Sequence, residues 1–141
     1  MKIRKAQEKD MDRIDGLLYQ VCMIHHEGRP DLFKTGAKKY TRDQLASILN
    51  DEKTPVFAAV DDTDTMMGYA FCIFREVRDD NILYDHRTLY IDDLCVDRKF
   101  RGQGIGKALF QAVRDFASDN GCDSLTLNVW SCNASALEFY R

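Results

Sequence analysis

With 141 residues, 45% of them hydrophobic and 30% charged, the chain has the composition of one compact domain rather than of a disordered segment. Its formal charge of -3, with acidic and basic residues mixed along the chain, lacks the basic excess of a nucleic-acid-binding protein. The longest apolar runs, such as Tyr69–Phe74, fall far short of the ~20 residues of a membrane-spanning helix.

The N-terminus, Met1-Lys2-Ile3-Arg4, runs straight into charged sequence, unlike a secretory leader. The five cysteines are an odd number without a C-x-x-C pair. That pattern predicts neither a disulfide framework nor a metal site, and the default expectation is a cytoplasmic protein.

In chain order, Lys2–Lys5 reads as a short strand. A helix is expected from about Asp10 to His26, with Met11, Ile14, Leu18 and Val21 at helical spacing and Gly28-Arg29-Pro30 breaking it. His25 and His26 near its end are candidates for the mouth of a site or for partners of the helix C-terminus. Thr41-Arg42-Asp43-Gln44 fits a capping box opening a second helix, with Leu45, Ile48 and Leu49 inward.

After Pro55 the period changes to two. Val56–Val60 and Met66–Val77 read as strands around a polar turn, and Arg78–Arg87 as a charged loop. Thr88–Val96 is a further strand. A helix is expected from about Gly104 to Asn120, burying Ile105, Leu109, Ala112 and Phe116, with Gly121 as its left-handed terminator. Ser124–Trp130 alternates as a strand, and Asn133 opens a last helix. The predicted class is mixed α/β in a single domain, 1–141, with a hairpin-rich first half and then strand–loop–helix–strand with a parallel crossover.

Between the central strand and its helix lies Arg101-Gly102-Gln103-Gly104-Ile105-Gly106-Lys107. Amides at a helix N-terminus favour an anion such as phosphate, and glycines let backbone approach it. A dinucleotide fingerprint G-x-G-x-x-G needs glycine where Lys107 stands. A Walker loop needs glycine at Arg101 and Ser or Thr at Ala108. A glycine-rich turn with no ligand stays open on the glycines alone, although Arg101 adds a phosphate-matching fork.

The remaining pattern, Arg101-x-x-Gly104-x-Gly106, resembles the acetyl-CoA signature of the GNAT superfamily of N-acetyltransferases. The likeness extends over Tyr90–Arg141. It includes Asp92-Asp93-Leu94-Cys95-Val96, the amphipathic helix, the strand after it, and Asn133-x-x-Ala136-x-x-Phe139-Tyr140. It implies the GNAT fold and transfer of an acetyl group from acetyl-CoA, without a metal, to a primary amine on a small molecule or protein.

It also implies site residues. Backbone near Leu94, Cys95 and Val96 would pair with the pantetheine arm, Gly102–Lys107 would hold the pyrophosphate, and Asn133 would contact the cofactor. Tyr140 matches the position that protonates the departing thiolate. Asp92-Asp93 resembles the Glu-Asp pair of diamine acetyltransferases, with Asp92 where the glutamate stands, as base directly or through a water. Strand neighbours point to opposite faces, so only one of the two aspartates would face the cleft unless a bulge intervenes. Cys95 is expected to be buried, with transfer direct from a ternary complex.

The family pattern continues past Tyr140-Arg141 through two more strands, which this chain is therefore expected to lack. Family members often form homodimers, and no residue pattern here selects a dimer. The rival in another class is a non-catalytic acyl-CoA-binding module.

Overall fold

The computed structural model describes residues 1–28 and 40–127, with side chains at 1–20 and 40–127. Five strands lie side by side in chain order: β1 (Lys2–Lys5), β2 (Val56–Val60), β3 (Met66–Val77), β4 (His86–Val96) and β5 (Ser124–Leu127). Neighbours are antiparallel except β4 and β5, which run parallel and are joined through α3 (Ile105–Asp119). The other helices are α1 (Met11–Gly28) and α2 (Arg42–Leu49).

Period-two alternation sorts the central strands onto two cores. Ala58, Tyr69, Phe71 and Cys95 pack with Ile14, Leu17 and Leu18 of α1 and Leu45 of α2. Ala59, Ala70, Cys72 and Ile91 pack with α3 on the other face. Helices on both faces explain why every residue of β2 is buried, and a residue such as Leu109, wholly enclosed, contributes about 2 kcal/mol through burial.

The boundaries of β2 and β3 match the sequence reading, and Thr41 and Gln44 form the expected capping box. Thr41 Oγ1 accepts from the Gln44 N–H (3.1 Å) and Gln44 Oε1 from the Thr41 N–H (2.9 Å). Three details differ. Helix α1 includes Gly28 and begins after a 3-10 turn at Glu8–Asp10, and Leu17 joins its buried face. Strand β4 starts at His86, inside the stretch read as loop. In α3 the enclosed row is Ile105, Leu109, Val113 and Ala117, strictly four apart, with Ala112 and Phe116 half-buried on its flank. Phe116 is nonetheless used, its ring edge-on to Phe57 at 5.0 Å.

Two glycines have a definite geometric duty here. Gly121 (φ 71°) lets the Cys122 N–H return to the Ala117 carbonyl (2.9 Å) and ends α3. Gly68 sits across from Val96 where β3, β4 and α3 converge, and a Cβ there would lie 2.7 Å from the Cys95 carbonyl oxygen.

Candidate active site

Strand β4 does not keep its alternation. Phe71 pairs with Asp93 and Cys72 with Ile91, so Asp92 is an extra residue with no opposite number on β3. This is the bulge that the Asp92-Asp93 doublet required if both were to share a face. Both carboxylates reach the tyrosines of the α1/α2 face. The Tyr69 hydroxyl donates to Asp93 Oδ2 (2.9 Å), and the Tyr40 hydroxyl donates to Asp92 Oδ2. Phe71 holds the two rings in place, tilted against Tyr40 at 5.3 Å and edge-on to Tyr69 at 4.9 Å.

The electrostatics of the cluster follow from that packing. Burial, then the hydrogen bond to Asp92 and the charges of both aspartates, push the Tyr40 pKa up, so its hydroxyl remains a donor across the neutral range. Burial, with the Asp93 charge behind it, pushes the Cys95 thiol up to about 12. A nucleophilic cysteine must be a thiolate, so Cys95 serves as a core side chain.

The pairing of β4 with β5 runs from Thr88 opposite Ser124 to Ile91 opposite Leu127. Leu94, Cys95 and Val96 lie further along β4, past the last described pair. Their side chains are committed to the sheet's two cores, Cys95 on the α1/α2 face and Leu94 and Val96 toward α3. What they offer a ligand is main chain.

Beyond Val96 the chain turns through Asp97 and a 3-10 turn at Arg98–Phe100, which the sequence reading did not foresee. Asp97 is 2% exposed and caps that turn by accepting from the Lys99 N–H (3.1 Å). Its own N–H donates to the Met67 carbonyl (2.8 Å), and Arg13 of α1 donates to its Oδ2 (2.8 Å). Burial raises its pKa, but the Arg13 and Lys99 hydrogen bonds outweigh that and hold the carboxyl below its ordinary range.

Then come Arg101 and Gln103, both exposed, alternating with Gly102 (φ 82°) and Gly104 (φ 75°). A Cβ on either glycine would meet nothing within 4 Å, so positive φ is what these positions demand of their residues. Gly104 is the N-cap of α3, makes no side-chain capping bond, and no acidic residue occupies the first turn. Buried Ile105 anchors that turn, while Lys107 is exposed. An uncapped, carboxylate-free helix N-terminus flanked by Arg101 and Lys107 fits an anionic pyrophosphate.

The remaining sequence candidates are not brought into this arrangement. Asn133 and Tyr140 lie outside the described residues, as do 128–130 of the expected strand and the side chains of His25 and His26. Among the described residues no cluster of three or more His, Cys, Asp or Glu could hold a metal, and no helix is long and apolar enough to cross a membrane. Tyr40, Tyr69, Arg13 and Asp97 were missed by sequence reasoning. Each contacts a partner 24 to 84 residues away, so no local pattern marks them.

A model of the acetyltransferase (GNAT) family matches residues 18–141. Among curated proteins, thialysine N-epsilon-acetyltransferase from Bos taurus is 38% identical over 55 residues, covering 39% of this chain and 32% of that protein. Streptothricin acetyltransferase from Streptomyces lavendulae is 39% identical over 56 residues, covering 40% and 30%. The match thus spans about a third of the length of these relatives.

Among solved structures, a mutant of the BH1408 protein from Bacillus halodurans superposes with a TM-score of 0.91 at 28% identity, covering 99% of this chain and 89% of that one. An acetyltransferase from Vibrio fischeri gives 0.76 at 25% identity, covering 92% and 97%.

Proposed function

The chain belongs to the GNAT acetyltransferase family, and from that premise we propose that it transfers an acetyl group from acetyl-CoA to a primary amine by direct attack in a ternary complex. The observation that carries this reading is the layout of β4. One strand leads from the Asp92-Asp93 bulge, through Leu94, Cys95 and Val96, to the Arg101–Lys107 loop. Acceptor chemistry, acyl group and phosphate cradle therefore fall in sequence along a single element. The amine-directed names of the bovine and Streptomyces relatives support an amine acceptor here.

Acetyl-CoA supplies an activated acyl carbon and a thiolate leaving group. The chain's own residues then have four tasks. The amides of Gly102–Lys107, with Arg101, hold the pyrophosphate, and Asn133 contributes a further contact. Backbone of Leu94, Cys95 and Val96 fixes the pantetheine arm, and an N–H of the Leu94–Cys95 pair donates to the carbonyl oxygen as it gains charge. An aliphatic amine has a pKa near ~10 in water and arrives protonated, so Asp92 takes its proton, directly or through a water, as the nitrogen lone pair attacks. Tyr140 donates a proton to the leaving sulfur.

Asp92 with Asp93 makes the acceptor side acidic, which suits a cationic substrate.

The test is thiol release from acetyl-CoA across polyamines, aminoglycosides, amino acids and peptides. Release should require an amine, and Tyr140→Phe should slow it while leaving CoA affinity nearly intact. Tight CoA binding with no turnover on any amine would instead make this a non-catalytic acyl-CoA-binding module.

A further inference from the structure

The cofactor loop is tied to helix α1. Asp97 caps the turn that leads into the loop, and α1 approaches it with two side chains. Arg13 donates from one guanidinium nitrogen both to Asp97 Oδ2 (2.8 Å) and to the Met66 carbonyl (2.7 Å). Gln20, seven residues and so two helical turns further on, lies near enough to Asp97 to favour its charged form. The other carboxylate oxygen caps the Arg98–Phe100 turn through the Lys99 N–H, and the Phe100 N–H donates to the Asp97 carbonyl (2.9 Å). The described hydrogen bonds of the turn that carries the chain out of β4 therefore converge on Asp97.

We propose that Arg13, Gln20 and Asp97 form a positioning clasp for the pyrophosphate loop, through which α1 fixes where Arg101 and the first amides of α3 stand. None of the three needs to touch the ligand. Asp97 is enclosed, and a buried carboxylate is tolerable only with its partners in place, so the clasp is a rigid joint. Rigidity at that joint bears on the ligand because an anion cradle works by preorganisation. A loop free to swing must be ordered on binding, and that cost reduces affinity. This inference rests on the assignment of the loop to the CoA pyrophosphate.

The experiment compares CoA with pantetheine, which keeps the thiol arm and lacks the pyrophosphate. CoA binding is read by calorimetry and pantetheine binding by NMR titration. In wild-type protein CoA should bind far more tightly. In Arg13→Leu and in Asp97→Asn the CoA affinity should fall about tenfold, the scale of one lost charge-assisted hydrogen bond, while pantetheine affinity changes less than twofold. The double variant should be little worse than either single one, because the residues act as a unit.

Gln20→Leu, which leaves the Arg13–Asp97 ion pair intact, keeps the test open if those variants fold poorly. It should show the same selective loss at about two- to threefold. Equal losses for CoA and pantetheine, or undiminished preference for CoA in folded variants, overturn the clasp and leave the loop assignment standing. A wild-type protein that binds both ligands equally overturns the loop assignment and the clasp together.

Discussion

Tyr40 offers a hydroxyl to Asp92 and a ring to Phe71, and replacing it with phenylalanine separates the two roles. Tyr40→Phe should leave the melting temperature within a few degrees and CoA affinity unchanged. It should lower kcat/KM for the amine by about tenfold, the effect of withdrawing a hydrogen bond from a charged group. Steady-state kinetics with acetyl-CoA saturating and amine varied decides it, and an unchanged kcat/KM would show that Asp92 needs no such support.

Gly68 is the complementary case, a residue whose importance is its emptiness. In Gly68→Ala the new methyl meets a backbone oxygen, which cannot step aside as a flexible side chain can. A loss of about 1–3 kcal/mol in denaturant unfolding is expected. A glycine in an apolar strand was visible in the sequence, but the carbonyl it makes room for belongs to a strand that follows much later.

At the scale of elements, what could be read in advance was whatever depends on neighbours in the chain. The capping box of α2, the extents of β2 and β3, and the left-handed Gly121 are all settled within a few residues. Thr41→Ala should accordingly cost about 1 kcal/mol, measured by urea unfolding. The glycines of the loop were equally visible, because positive φ is a local demand. Gly104→Ala places a Cβ in the left-handed region at the N-cap of α3, and should both destabilise by about 1 kcal/mol and weaken CoA binding.

The bulge was another matter. The doublet Asp92-Asp93 made a bulge conceivable, but it contains no glycine or proline to announce an inserted position. Only the pairing of Phe71 and Cys72 with β4 reveals it. The start of β4 at His86 was likewise hidden, since charged residues at the end of a hairpin read as loop until a partner strand is present.

For the whole molecule, the two carboxylates enclosed among the described residues govern the expected response to acid. Asp10 is 5% exposed. Burial raises its pKa, but the paired hydrogen bonds from Arg4 (2.7 and 2.9 Å) and the Gln7 N–H bring it below the ordinary carboxylate value, as the partners of Asp97 do there. A depressed folded pKa contributes stability that is complete above the unfolded value, near ~3.9, and is lost as pH falls through the folded one. The melting temperature should be nearly level from neutral down to about pH 5 and fall steeply below about pH 4. In Asp97→Asn the neutral value should drop and the acid slope flatten, and calorimetry from pH 7 to pH 2 distinguishes the two shapes.

The inserted residue in β4 also has a bearing on how this sheet tolerates change. Ile91 and Asp93 are two apart, yet one belongs to the α3 core and the other to the opposite face, so the strand is written in two phases joined at Asp92. Substituting Asp92 alters a side chain. Deleting it would leave Ile91 and Asp93 adjacent, already on opposite faces and already opposite Cys72 and Phe71, so the strand would close into one regular alternation. The sheet could therefore lose this one position with its register intact, and what would go with it is the bulge and the pairing of two carboxylates on one face.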